Sequence, residues 1–309
     1  MTTRDETRSE RPSSARPFTT VSDAPTPWSW QQYSHWLKAE WAELLRSGDP
    51  DKEEPYRQFL EMHPCLIPGG EGTGESFGGH HGNWTGTVIS QPSLPGIARR
   101  IPDFMWLTRN SEEIIPVLIE LEAPGKVWFN RNGQRSAKLT QAQDQLAEWR
   151  QQLENPANRQ LLGEMYDFPQ RWTFEYNLVP RLLLIYGRRE EFRWRPWLNQ
   201  KRRAIRDPAT EAMTFDRIKP LAGSRDAFSV RIENRSEMVI AVPPTFRLGP
   251  LIAEAIASVG GWERAIASNQ LMSHERKDFL LSRLPYWREI GVRAKQGQRP
   301  GPRNDKDWE

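Results

Sequence analysis

The sequence predicts an α/β protein, in which a mixed central β-sheet is flanked by helices and followed by a helical C-terminal extension. Residues 101–108 and 114–121 form two apolar runs of strand length, and residues 182–186 are apolar enough for a central strand. Residues 136–154 instead carry apolar side chains at helical spacing. A helical pattern returns from residue 248 to residue 292, with interruptions expected at Gly260-Gly261 and at Pro285. Alternating strands and helices of this kind are typical of a sheet covered by helices.

Composition divides the 309 residues into five segments. Residues 1–27 and 295–309 are polar and lack periodicity, so we expect a disordered N-terminal arm and a disordered tail. Residues 28–48 form an aromatic-rich helical lead-in, residues 49–245 the main domain, and residues 246–294 the helical extension. The sequence has no run of 18 apolar residues and no signal-peptide pattern, so we expect a cytoplasmic protein without membrane contact.

The elements of the main domain can be placed in order. A second helix runs from about residue 53 to residue 62, and residues 85–91 predict the first core strand. A Pro-containing turn then leads to the strand at 101–108. Ser136 is placed to open a helix that continues to residue 154, because a serine before an apolar helical pattern is a typical N-cap.

Three carboxylates lie on the two neighbouring strands. Asp103 begins the first, and Glu120 and Glu122 end the second. If the strands pair as a hairpin centred near Ser111, Asp103 falls opposite Ile119 or Glu120. Glu120 and Glu122 share a face because strand side chains alternate. Carboxylates this close repel one another unless a cation lies between them, so the pattern predicts a divalent metal site.

The arrangement of Pro-Asp followed about seventeen residues later by Glu-x-Glu resembles the PD-(D/E)xK nuclease core. Four further motifs follow the same order along the chain as in one family: Glu53-Glu54 before Phe-Leu in the opening helix, Gln145-Leu-Ala-Glu-Trp149 in the helix after the acids, Gly187-Arg188 after a late strand, and Thr214-Phe-Asp216 beyond it. Together they resemble the Shedu family of prokaryotic antiviral nucleases, over about residues 50–220.

The resemblance implies a restriction-endonuclease-like PD-(D/E)xK core in residues 49–245 and the activity of a metal-dependent DNA endonuclease in defence against phage. It implies that Asp103 and Glu120 bind Mg²⁺ or Mn²⁺, with Glu54 as a water-mediated contact, or Glu53 if the register is shifted. Gln145 would orient water or phosphate. Shedu-like proteins are expected to act as homo-oligomers, so DNA and further copies of the chain are the expected partners.

One position departs from the usual motif. The residue two after Glu120 is normally a lysine that orients or activates the attacking water, and here it is Glu122. Glu122 would then serve as a metal contact or base. Alternatively, a lysine elsewhere supplies the positive charge, either Lys126 after the following turn or Lys138 on the next helix, near Gln145.

Basic residues cluster around the candidate site although the net charge is only +3. Arg99 and Arg100 immediately precede the Pro-Asp pair, and Arg188 and Arg189 follow the late strand. Arginines neutralise phosphates by displacing counterions, so we expect these four to contact nucleic acid. The alternative interpretation of such a charge run is a solvated helix face.

Two other functions are compatible with the sequence. A nuclease-like fold that binds DNA or senses its ends without cutting would explain Glu122, and it predicts salt-dependent DNA binding without metal-dependent products. An assembly protein would use the aromatic residues of 28–48 as its functional surface. In that case deletion of 28–48 abolishes activity, whereas acid-to-amide changes do not.

Overall fold

In the computed structural model, the described residues are 18–70, 79, 83–96, 101–166, 168, 176–205, 209–233, 236–298 and 308–309. They form one mixed β-sheet with helices on both faces, which confirms the predicted α/β class. The α-helices are α1 (Trp30–Ser47), α2 (Glu54–Met62), α3 (Ala137–Glu154), α4 (Pro156–Met165), α5 (Glu190–Trp194), α6 (Leu198–Arg203), α7 (Ala253–Ser258), α8 (Trp262–Ser268) and α9 (His274–Lys295). The strands are β1 (Asn83–Ser90), β2 (Phe104–Arg109), β3 (Glu113–Leu121), β4 (Asn177–Leu178), β5 (Arg181–Ile185), β6 (Thr210–Met213), β7 (Phe228–Glu233) and β8 (Ser236–Ala241).

The strand order across the sheet is β6-β5-β3-β2-β1-β7-β8, with the short β4 also paired to β3. Strands β3, β5 and β6 are parallel to one another, whereas β2 is antiparallel to both β1 and β3. Because β3, β5 and β6 run in the same direction, their C-terminal ends meet at one edge of the sheet. Residues just after these three strands are therefore neighbours.

The hairpin of β2 and β3 fixes the position of the acids. Phe104 pairs with Ile119 and Arg109 pairs with Ile114, so the turn is centred between residues 111 and 112, as predicted. The turn is stabilised locally, because the Asn110 side chain accepts hydrogen bonds from two backbone amides. Continuing the register by one residue places Asp103 opposite Glu120.

Side-chain alternation divides the apolar residues of the sheet into two cores. One face of β3 packs Val117 and Ile119 with residues of α1 and α2. The other face packs Leu118 with residues of α3 and of the C-terminal helices. Glu120 lies two residues after Leu118 on the same strand, so its side chain is on the same face of the sheet, the face that packs against α3.

Local capping accounts for where the longer helices begin. Ser29 and Gln32 form a capping box at the start of α1. Ser136 caps α3, since its hydroxyl accepts a 3.1 Å hydrogen bond from the Leu139 amide. The predicted helix over 136–154 is thereby confirmed within one residue.

The two chain ends correct the sequence prediction. Phe18 is buried, and the Thr19 amide donates a 2.5 Å hydrogen bond to the Tyr286 hydroxyl. Glu309 is buried as well, and its carboxylate forms a 2.8 Å ion pair with Arg276. The prediction of disorder is therefore wrong for residues 18–27, 295–298 and 308–309. Residue 295 ends α9 and residues 296–298 hydrogen-bond to its last turn, whereas contacts with α9 hold the other two segments. Residues 1–17 and 299–307 lie outside the described residues.

The C-terminal extension is helical as predicted, with one difference. Gly261, at φ +84°, separates α7 from α8, where the sequence predicted an interruption. At Pro285 the sequence also predicted an interruption, but α9 continues through it. The packing of α9 against the core, through Leu284 and Trp287, outweighs the missing backbone donor. Across the part of the chain that the structure describes, no helix is long and apolar enough to cross a membrane.

Candidate active site

The backbone at the end of β3 holds Asp103 in place. The Asp103 amide donates a 3.0 Å hydrogen bond to the Ile119 carbonyl, which extends the hairpin ladder by one residue. The Asp103 carboxylate accepts a 2.7 Å hydrogen bond from the Leu121 amide. The side chain is buried and carries its charge next to Glu120.

Glu120 has one satisfied and one unsatisfied oxygen. Its Oε1 accepts a 2.7 Å hydrogen bond from Nε2 of Gln145, which projects from α3 toward the sheet. Its Oε2 is buried and has no hydrogen-bond partner among the described residues. A buried carboxylate oxygen without a partner is costly, and such an atom is often completed by a bound ion or water.

Burial and repulsion from neighbouring carboxylates shift the pKa values of both carboxyl groups upward. Burial, followed by the charge of Glu53, raises the pKa of Asp103 to about 7, whereas the hydrogen bond from the Leu121 amide and the charge of Arg57 oppose the shift. Burial raises the pKa of Glu120 to about 9, with additional contributions from the charges of Asp103 and Glu53. The two groups titrate as a pair. Without a cation, the site therefore holds protons near neutral pH.

We expect the metal-free protein to lose stability as the pH rises. The folded pKa values of Asp103 and Glu120 lie above the ordinary values of 3.8 and 4.5, so the folded state binds more protons than the unfolded state. The contribution is largest below about pH 4 and is lost as the pH rises through about 7 and about 9. The melting temperature in EDTA, measured from about pH 5 to about pH 9, should therefore fall at the alkaline end.

The matched control for this titration is the Asp103→Asn/Glu120→Gln double variant, which removes both titrations and retains similar side-chain shapes. Its melting temperature should change less with pH than that of the wild type. Parallel curves for the two proteins would show that these carboxyl groups do not carry the pH dependence.

The structure distinguishes the two glutamates at the start of α2. Glu53 interacts electrostatically with both Asp103 and Glu120, and burial raises its own pKa. The Glu54 carboxylate instead accepts hydrogen bonds from Arg57 at 2.7 Å and from Gln58 at 2.6 Å. Of the two acids, only Asp103 is affected by the charge of Glu54, which is the smallest cause of the shift in its pKa. The structure therefore agrees better with the alternative register, in which Glu53 rather than Glu54 faces the acids.

Glu122 forms an ion pair with Lys126 rather than pointing unpaired into the site. The Lys126 ammonium also interacts with the charges of Glu53 and Glu120. Partial burial and the proximity of Lys138 lower the pKa of Lys126, and the two carboxylates oppose this shift. The usual lysine position of the motif is therefore occupied by an acidic residue, Glu122. Lys126, four residues later, brings a positive charge next to it.

The loop that carries Lys126 is held from three sides. The Gly125 amide donates a 2.6 Å hydrogen bond to the Pro50 carbonyl, which joins this loop to the segment before α2. Trp128 donates from its indole nitrogen to the Tyr186 carbonyl at 2.9 Å. Gly187, at φ +58°, packs so closely that an added Cβ would lie 2.5 Å from the Lys126 carbonyl oxygen. These contacts fix Lys126 relative to the acids.

The remaining predicted residues lie farther from the acids or are held by other contacts. Lys138 is exposed on α3. The Arg188 guanidinium donates to Asp216 at 2.9 Å and to the Leu45 carbonyl at 2.7 Å, so it links β5 to α1. Arg189 is exposed at the same edge of the sheet. Arg99 and Arg100 lie outside the described residues.

One charged residue near the acids was not among the predicted site residues, and a second was predicted only as an alternative. Arg57 is buried on α2, between Glu54 and Glu61, and its charge lowers the pKa of Asp103. The spacing of Arg57 from those glutamates, three and four residues, was the available signal. The second is Glu53, which sequence reasoning gave only as an alternative to Glu54.

The donor set fits a hard divalent cation. Asp103 and Glu120 offer carboxylate oxygens, one of them buried and unpartnered, and Mg²⁺ typically binds through one or two carboxylates while it keeps several waters. No group of three His, Cys, Asp or Glu side chains that could hold a metal occurs among the described residues. The pair would therefore leave most of the coordination sphere to water and substrate oxygens.

A comparison with known protein families finds a match over this part of the chain. The family model described as "Shedu protein SduA, C-terminal" matches residues 51–218, more than half of the sequence and the whole of the segment from α2 to Asp216. No curated protein matches the chain in a sequence search. The matched region contains Asp103, Glu120 and Gln145, which the fold brings together. The chain belongs to the Shedu protein family, a membership that supports a role in antiphage defence.

Proposed function

We propose that the protein is a metal-dependent DNA endonuclease with a PD-(D/E)xK core, acting in defence against phage. The observation that carries the proposal is the buried pair of Asp103 and Glu120, with one oxygen left unpartnered, in a domain of the Shedu family. The motif residues lie on paired strands of one hairpin, and the crossover from β3 to the parallel β5 passes through the helix that carries Gln145.

The acids would hold Mg²⁺ or Mn²⁺. When bound, such an ion polarises a phosphodiester, lowers the pKa of a bound water and stabilises the leaving oxygen. Ion binding would displace the protons that Asp103 and Glu120 retain near neutral pH, because the positive charge of the cation offsets the burial and the repulsion that raise their pKa values. The raised pKa values thus support a site that is completed by a cation.

Gln145 and Lys126 would complete the chemistry. Gln145 donates to Glu120 through one amide hydrogen, which fixes the carboxylate and leaves the amide oxygen available to orient water. Lys126 would stabilise developing negative charge on the phosphate or orient the attacking water, taking the part of the lysine that Glu122 replaces. Partial burial lowers the pKa of Lys126 below the ordinary lysine value, which makes its ammonium a better proton donor.

One observation favours a second candidate function. The ion pair of Glu122 with Lys126 neutralises the lysine that the chemistry would use. If this pair persists with substrate bound, the protein would bind DNA without cutting it. Such a protein would show DNA binding that weakens with salt and no products that depend on a metal ion.

The test is incubation of purified full-length protein with supercoiled and linear DNA in the presence of Mg²⁺, Mn²⁺ or EDTA. The proposal expects nicked or linear products with a metal ion and none with EDTA. An Asp103→Asn variant controls for contaminating nucleases, since its preparation should yield no products. Bound but uncut DNA under every metal condition would favour the second candidate.

A further inference from the structure

A second charged feature lies at the same edge of the sheet as the acids. A cavity of about 390 Å³ opens between α5, α6 and the segment after β6. Four arginines line it, and none of its described lining residues is acidic: Arg189, Arg193, Arg202 and Arg217. Of these four, the sequence prediction named only Arg189 as a nucleic-acid contact, and Arg217, which lies beyond β6, joins the basic run of Arg189, Arg193 and Arg202 only in the fold.

Neighbouring groups position the arginines without closing the cavity. The Arg202 guanidinium lies 4.4 Å from the centre of the Phe192 ring, a cation–π contact that fixes its plane. Arg217 forms a 3.3 Å ion pair with Glu211, in which both side chains are partly exposed. Arg189 is exposed and has no ion-pair partner among the described residues, although its backbone amide donates to Asp216.

A buried hydroxyl in the same cavity points to a ligand. Thr214 lines the cavity and is fully buried, yet its Oγ1 has no hydrogen-bond partner within the described part of the structure. Burying a hydroxyl without a partner is unfavourable, and a valine of the same shape would avoid the cost. A hydroxyl donor beside four guanidinium groups is suited to an oxyanion that accepts several hydrogen bonds.

The strand register gives the distance between this cavity and the acids. Leu121 pairs with Ile185, and Ile185 pairs with Met213, so the residues that follow these strands are aligned at the edge. Thr214 is therefore two strands away from Glu122, which corresponds to about 10 Å. A nucleic-acid strand that places one phosphate at Asp103 and Glu120 can reach the cavity with another.

We propose that this arginine cavity, formed by Arg189, Arg193, Arg202, Arg217 and Thr214, is a binding site for a phosphate group, supplied by the backbone of the DNA held at the acids. The site itself is inferred from its own residues, and only the assignment of its ligand to DNA depends on the proposed function. Guanidinium groups bind phosphate oxygens through paired hydrogen bonds, and Thr214 would donate one more. A free nucleotide offers the same chemistry, so the test must separate the two sources.

The experiment measures the affinity of the full chain for a fluorescent DNA duplex in EDTA, where metal-dependent cutting cannot interfere. Arg189→Gln and Thr214→Val should each weaken binding about tenfold, the effect of one hydrogen bond to a charged group. Thr214→Val should raise the melting temperature slightly above that of the wild type, because the buried hydroxyl it removes has no partner within the described residues. Arg203→Gln, the same charge change at an exposed neighbouring residue on α6, should alter affinity less than twofold.

A second arm uses inorganic phosphate and follows the melting temperature. If phosphate stabilises the wild type but not Thr214→Val, while DNA affinity is equal in both, the cavity binds a free phosphate compound and its assignment to DNA is overturned. If both variants match the wild type in DNA affinity and in response to phosphate, the site itself is overturned. Loss of DNA affinity in the variants would support the cavity even if the wild type cuts no DNA, so the two proposals fail separately.

Discussion

Replacement of Glu120 by Gln should lower metal-dependent DNA cleavage by at least about a thousandfold, because the metal contributes several kcal/mol to the transition state. The same change should raise the free energy of unfolding in EDTA by about 1 kcal/mol at pH 8, since it removes a carboxyl group that the fold keeps protonated at a pH where the unfolded chain would ionise it. The amide oxygen of the new Gln would still accept the hydrogen bond from Gln145.

Cleavage of supercoiled plasmid and urea unfolding, measured on the same preparation, test both parts of this prediction. Glu154→Gln is the matched control, because it makes the same change on the exposed end of α3 and should leave both quantities unaltered. A Glu120→Gln protein that cuts DNA at the wild-type rate would remove Glu120 from the catalytic site. A strongly destabilised variant would show instead that Glu120 supports the fold.

The second large effect is expected at Lys126. Lys126→Met should lower cleavage about a hundredfold, since it removes the positive charge near the phosphate and leaves Glu122 as an additional unpaired carboxylate. The double variant Glu122→Lys/Lys126→Met returns a lysine to the usual motif position and should recover a large part of the activity. Binding of DNA in EDTA, measured in parallel, separates loss of chemistry from loss of affinity.

Lys138→Met is the control for this pair, because Lys138 was the other lysine that the sequence offered for the same role. It is exposed on α3, and its removal should change cleavage less than threefold. If Lys138→Met abolishes cleavage and Lys126→Met does not, the roles are reversed. If the double variant folds but is no more active than Lys126→Met, the lysine does not act through the motif position.

Local patterns were enough to predict the parts of the fold that local forces decide. The register of β2 and β3 followed from the polar turn, since Asn110 closes it through bonds to its own neighbours. The start of α3 followed from the Ser136 cap. The facing of Asp103 and Glu120 then followed from strand pairing alone, which is why the central pair of the site was accessible from sequence.

Other features depend on contacts between distant segments and leave no local signal. Thr19 bonds to Tyr286 across 267 residues, so the order of the N-terminal segment could not be inferred from its polar composition. The orientation of Glu53 toward the acids depends on how α2 meets the loop of Lys126, through the Gly125 bond to Pro50. The arginine cavity requires two short helices and the end of β6 to meet.

The most direct test of the central claim is to count the Mn²⁺ ions bound to the protein–DNA complex. Electron paramagnetic resonance measures this number, and the spectra are recorded before an appreciable fraction of the DNA is cut. Wild type and Glu120→Gln are compared with the same duplex, so that ions bound to DNA alone contribute equally. We expect the wild type to bind at least one additional ion per chain, and Glu120→Gln to lose it. Equal numbers of bound ions in the two proteins would contradict the assignment of Asp103 and Glu120 as the metal site.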